Sequence, residues 1–95
     1  MIPLTNAQVR ALKAQAQRLK ATLKIGKEGV SPQFLAALDL ELDRHELVKV
    51  KFDDFKEQKK ELAPQLAEKS RSHLVTRVGN VVVLYRPKPE EKKQG

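Results

Sequence analysis

The sequence predicts an α/β domain: a small four-stranded mixed sheet packed with three helices, in the order α-β-α-β-α-β-β. Three observations carry that expectation. Apolar residues recur at helical spacing near the N-terminus, as Val9, Leu12, Ala16 and Leu19. Leu47 to Phe52 alternates apolar and basic residues with a period of two. Two β-branched runs, Leu74 to Val78 and Val81 to Arg86, are joined by Gly79-Asn80. That link suits a hairpin of type II′ or I′. A helix between two strands favours a parallel pair with a right-handed crossover, whereas a hairpin is antiparallel, so the sheet is mixed.

The first helix opens on Thr5-Asn6-Ala7-Gln8, a capping box with Thr5 as N-cap and Gln8 three residues on. Its apolar stripe marks the core side, and Arg10, Lys13, Gln17 and Lys20 form a basic ridge beside it. The helix is expected to fade near Leu19 or Lys20. Thr22 to Ile25 then reads as a short strand, with Leu23 and Ile25 on one face and Thr22 and Lys24 on the other. Ser31 is a good N-cap and Pro32 a good first residue for the second helix. Phe34, Leu35, Leu38 and Leu42 make its apolar side, and Asp39, Glu41, Asp43 and Glu46 fall largely on solvent.

In the second strand Val48, Val50 and Phe52 face the core, while Lys49 and Lys51 emerge together on the opposite face. Asp53-Asp54 is the expected start of a third helix that ends by about Ser72. Pro64 cannot donate a hydrogen bond to the carbonyl four residues back, so a kink or a late start is expected there. Residues 1–87 form the predicted domain, and 88–95 read as a disordered charged tail with nothing to bury.

Composition narrows the function. A chain of 95 residues makes one domain. Without cysteine there is no disulfide, no thiol chemistry and no cysteine metal site. His45 and His73 lack a recognisable metal spacing. No P-loop lysine pattern follows the glycines and no catalytic constellation is visible. The expectation is therefore a protein with no cofactor, no metal and no enzymatic activity. No apolar run approaches membrane-spanning length and the N-terminus lacks a signal-peptide core, so a soluble cytoplasmic protein is the default, and a monomer is expected.

The net charge of +7 is segregated. Up to Lys27 the chain carries six bases and no acid: Arg10, Lys13, Arg18, Lys20, Lys24 and Lys27. From Glu28 to Glu46 it carries five acids against Arg44 alone. Positive charge collected in one stretch favours a polyanionic partner through counterion release.

The sharpest local motif is Ile25-Gly26-Lys27-Glu28-Gly29-Val30, a Gly-x-x-Gly loop between a strand and a helix start. Such a corner exposes backbone N–H groups next to the positive end of a helix dipole, which suits a phosphate. Lys24 and Lys27 add charge beside it. A KH-type RNA reader also uses Gly-x-x-Gly, but there the loop joins two helices, whereas here a strand precedes it. The four aromatic residues, Phe34, Phe52, Phe55 and Tyr85, do not form the stacking platform of sheet-based RNA readers.

Four stretches together resemble a known family: Leu4-Thr5, the Ile25 to Val30 loop, His45 to Lys51, and Val78-Gly79-Asn80-Val81-Val82-Val83-Leu84-Tyr85-Arg86-Pro87. They resemble a stand-alone CRM domain (chloroplast RNA splicing and ribosome maturation) of the bacterial YhbY-like type. The resemblance implies a fold like the C-terminal domain of bacterial translation initiation factor three. It also implies RNA binding through Gly26, Lys27, Glu28 and Gly29 with nearby bases, and association with ribosomal RNA in precursors of the large ribosomal subunit. Lys49, Lys51 and Arg86 match positions where that family tends to be basic. Glu28 departs from the pattern by placing an acid in the loop, and Pro64 departs by interrupting a helix.

The expected RNA-contacting set is thus Gly26, Lys27, Glu28, Gly29, Lys24, Arg10, Lys13, Arg18, Lys20, Lys49, Lys51 and Arg86. Two other readings stay open on sequence. One is a protein-interaction adaptor that uses the acidic second helix or the sheet. The other is a small phosphate-ligand or nucleotide-binding protein.

Overall fold

A computed structural model describes residues 3–87. The expected tail at 88–95 lies outside the described residues. Three helices and four strands follow in the order α1 (Asn6–Ala16), β1 (Leu23–Ile25), α2 (Pro32–His45), β2 (Leu47–Phe52), α3 (Lys59–Lys69), β3 (His73–Val78) and β4 (Val81–Tyr85), with a 3-10 turn at Lys56–Gln58 before α3. The sheet order is β1-β2-β4-β3. β1 and β2 are parallel, and β4 is antiparallel to both of its neighbours.

Each side of the sheet is packed. On one face Ile25, Val48, Val50, Phe52, Val82 and Leu84 meet Leu38 and Leu42 of α2 and Ala63, Leu66 and Ala67 of α3. Full burial of such side chains contributes about 1.5–3 kcal/mol each for the larger ones, and this face holds most of them. On the other face a smaller cluster joins Leu12 and Ala16 of α1 to Leu47, Val75 and Val83. The alternation predicted for β2 is observed, but the lysine side of the strand is roofed in part by α1.

The capping box of α1 forms in full: Gln8 N–H donates to Thr5 Oγ1 at 3.1 Å and Thr5 N–H donates to Gln8 Oε1 at 2.8 Å. The helix stops at Ala16, earlier than its apolar spacing predicts. The Arg18 and Leu19 amides reach back only three residues, to Gln15 and Ala16 carbonyls, so the last turn tightens and the chain peels away. Leu19 is consequently 40% exposed and not part of the buried stripe.

α2 starts as expected, with Ser31 Oγ accepting from Phe34 N–H at 3.1 Å and Pro32 at the first helical position. Asp53-Asp54 does not open α3. Asp54 Oδ1 instead accepts the Phe55 amide at 2.8 Å, and both aspartate amides donate to the Ile25 carbonyl at 3.0 Å. The helix begins late, at Lys59, and continues through Pro64 to Lys69. In the hairpin Gly79 has φ +58 while Asn80 does not enter the left-handed region, which selects the type II′ turn. A register shift between Leu74 and Thr76 bulges β3 at Val75 and turns that valine toward α1.

Candidate nucleic-acid interface

The Gly-x-x-Gly loop leaves the C-terminal end of β1. The Gly29 amide donates to the Gly26 carbonyl at 3.0 Å and the Ser31 amide to the Gly29 carbonyl at 3.1 Å. Those two N–H groups are spent inside the loop. Among the described residues, the Lys27 and Glu28 amides have no hydrogen-bond partner within the protein, and both residues are exposed. The tip of the corner therefore offers amides that can accept an anion. Gly29 has φ +67, a conformation that glycine adopts without penalty, and it rests against the Phe55 ring. A bulky side chain at Gly29 thus disturbs the fold as well as any ligand. Of the two loop glycines, Gly26 opens onto empty space.

Strand register places further charge beside this tip. Lys24 of β1 pairs with Lys51 of β2, and both are exposed on the α1 side of the sheet. Lys49 lies one pleat back on the same face, half-buried, and its Nζ donates to the Leu19 carbonyl at 2.9 Å. That bond pins the chain where it leaves α1. Lys13 approaches from the helix and borders the same open stretch of sheet as Lys49. Lys24, Lys51, Lys49 and Lys13 thereby share the α1 face of the sheet, and Lys27 stands exposed in the loop at the end of β1. Three carboxylates, Glu28, Asp53 and Asp54, stand exposed at the same end of the sheet and limit the positive field there.

The remaining expected contacts are distributed more widely. Arg10 is exposed on α1, and Arg18 lies exposed in the segment that follows it. Lys20 borders a cleft with Leu19, Thr22, Glu41 and His45, on the β1 edge near the end of α2. Arg86 is not brought to this surface. It follows the residue paired with Leu47, whereas the loop adjoins Phe52, so the two ends are separated by the length of β2, roughly 17 Å. Its guanidinium also points to the opposite face. Nη1 donates to Asp39 Oδ1 at 2.7 Å and to the Ser70 carbonyl at 2.9 Å, and Nη2 donates to the Asp39 carbonyl at 2.9 Å and to Asp43 Oδ1 at 3.2 Å. Arg86 ties the end of β4 to α2 and to the end of α3.

Tyr85 packs with the α1 cluster and stacks on His73 at a ring-centroid distance of 6.3 Å, so it is held by the protein. Burial pushes the His73 imidazole below the usual histidine range. His45 does not cap its helix; its Nε2 lies 3.8 Å from Glu41 Oε1 one turn back. Among the described residues no cluster of histidines and acids is arranged to hold a metal ion. No described helix is long and apolar enough to cross a membrane.

Sequence reasoning missed two features. Phe55, with φ 56, packs under Gly29 from a stretch that has no periodic pattern. Val78 and Val81 border the open sheet beside the lysines, and only the hairpin register reveals that they share the lysines' face.

The CRS1 / YhbY (CRM) domain family model matches residues 4–86. A Bacillus subtilis protein named "Probable RNA-binding protein YqeI" is 35% identical over 91 residues, which cover 95% of each chain. A Haemophilus influenzae protein named "RNA-binding protein" is 32% identical over 95 residues, covering 99% of this chain and 96% of that one. The solution structure of the Staphylococcus aureus protein SAV1595 superposes with a TM-score of 0.78 at 36% identity and covers 96% of both chains. With a family match over nearly its whole length and relatives of the same size, this chain belongs to the CRS1 / YhbY (CRM) domain family.

Proposed function

We propose that this protein binds structured RNA, without enzymatic activity, through the Gly26–Gly29 loop and the lysines beside it. The observation that carries the reading is the side-by-side placement of Lys24 and Lys51, next to a loop tip with two unengaged amides. Like charges set in register repel each other, and a phosphate between them relieves that repulsion. The Lys27 and Glu28 amides can then donate to the same or the next phosphate, and Lys27 adds a third cation. Lys13, Arg10, Arg18 and Lys20 extend the cationic surface along and beyond α1. Contacts of this kind read the shape and spacing of the RNA backbone, so salt sensitivity is steep and sequence preference weak. The names of the Bacillus and Haemophilus relatives agree with this reading.

The family resemblance extends the proposal to a cellular role. The protein acts in the cytoplasm as a monomeric assembly factor and holds ribosomal RNA in a precursor of the large subunit. Crosslinking in cells followed by sequencing of the bound RNA tests this. Enrichment of large-subunit ribosomal RNA is the expected result, and enrichment of other transcripts alone overturns the assembly role. An adaptor that uses proteins as partners shows no steep salt dependence in a titration with RNA, which separates the two.

A further inference from the structure

We infer that the open end of the α1 face is a pocket for one unpaired nucleobase of the bound RNA. This deepens the RNA-binding reading and rests on it. One cross-strand row runs Lys24, Lys51, Val81, Val78 over β1, β2, β4 and β3. Half of the row is cationic and half is aliphatic. Strands lie about 4.8 Å apart, so the centres of the two halves are about 10 Å apart, the scale of one nucleotide from phosphate to base.

α1 leaves this row uncovered because it ends at Ala16. Between the end of the helix and the hairpin lies an open groove of about 350 Å³. Val78, Val81 and Val83 make its apolar floor, with Lys13 and Lys49 at the rim. Thr76 and Gln17 also line it and supply polar groups for a base edge, and no carboxylate does. Val78 is 68% exposed, an apolar side chain in water beside an apolar floor.

Charge complementarity identifies the occupant. A purely apolar partner fills the floor but leaves Lys13 and Lys51 unmatched, with Lys49 already donating to the Leu19 carbonyl. An unpaired nucleotide satisfies both halves, its flat base on the valines and its phosphate on the lysines. A base inside a duplex has both faces stacked and cannot enter. The groove therefore selects RNA with loops or bulges over continuous duplex.

The test uses the full chain and two RNAs: a hairpin with 4-thiouridine in its loop, and a blunt duplex of the same stem sequence. Photocrosslinks are expected to map to residues 76–83. Val78→Ser, an exposed position that leaves both cores intact, is expected to weaken hairpin binding by about fivefold, through lost apolar contact, with duplex binding and salt dependence unchanged. An unchanged ratio of hairpin to duplex affinity in Val78→Ser, or crosslinks confined to α2, overturns the pocket while RNA binding stands. Failure of the native protein to bind either RNA overturns the RNA-binding reading itself. A dimer in sedimentation that Val78→Ser dissociates, with RNA selection intact, assigns the groove to a second copy and also overturns the pocket.

Discussion

Phe55 is the floor of Gly29. A β-carbon built on that glycine comes 3.2 Å from Phe55 Cε2 and 3.4 Å from Cζ, and the backbone there is left-handed at φ +67. Gly26, three residues earlier, has nothing within 4 Å and no positive φ. The fold therefore constrains Gly29 and leaves Gly26 without a steric neighbour.

Substitution separates them. Gly29→Ala is expected to cost about 1–3 kcal/mol in a urea titration, from backbone strain and the displaced ring. Gly26→Ala is expected to keep or slightly raise stability, by up to about 1 kcal/mol, because it restricts the unfolded chain. Its RNA affinity should nevertheless fall by on the order of tenfold, since the new methyl occupies the approach to the loop amides. Native affinity in a folded Gly26→Ala protein excludes a close phosphate at this corner.

Lys51 gives the electrostatic counterpart. Its side chain is exposed and makes no hydrogen bond to the described residues, so Lys51→Gln leaves the fold alone. If it neutralises one phosphate, the slope of log affinity against log salt becomes shallower by about 0.7–0.9. A slope that matches the native protein removes Lys51 from the interface.

Arg86 is expected to behave in the opposite way. Its four hydrogen bonds join β4 to α2 and α3, and its side chain is only 18% exposed. Arg86→Ala should lose about 1–3 kcal/mol of stability, and lysine should restore little of it because a point charge cannot reproduce the fork. RNA affinity, measured where the variant is still folded, should be unchanged. A stable variant with weakened RNA binding reverses this assignment.

These contrasts show what was legible in the sequence. Local signals identified the elements: the Thr5 box, Ser31-Pro32, the β2 alternation and Gly79-Asn80 each act within a few residues and found their places. The Gly-x-x-Gly corner was legible for the same reason. The early end of α1 was not, because it depends on the chain turning back to β1 and on Lys49 reaching the Leu19 carbonyl, 30 residues away in sequence. Arg86 resembles every other base in composition, and only its distance from the loop and its partners on α2 and α3 give it a structural role. The valine half of the Lys24 row depends on β4 inserting between β2 and β3, an order that neither strand encodes alone.

His73 sets a pH dependence of stability. It opens β3 opposite Tyr85 and stacks on that ring, and burial there disfavours the charged imidazolium. Its folded pKa lies below the unfolded value of 6.5. Between the two values the unfolded chain binds more protons than the folded one, so stability rises with pH in that window. The contribution is complete above pH 6.5 and is lost as pH falls toward the folded pKa. Urea midpoints compared between the native protein and His73→Gln check this, because the variant cancels the other titrating groups. The stability difference, native minus variant, should decline as pH is lowered from about 7 to about 5. A difference that stays flat over that range means that the protonated ring is tolerated beside Tyr85, and burial does not control this edge of the sheet.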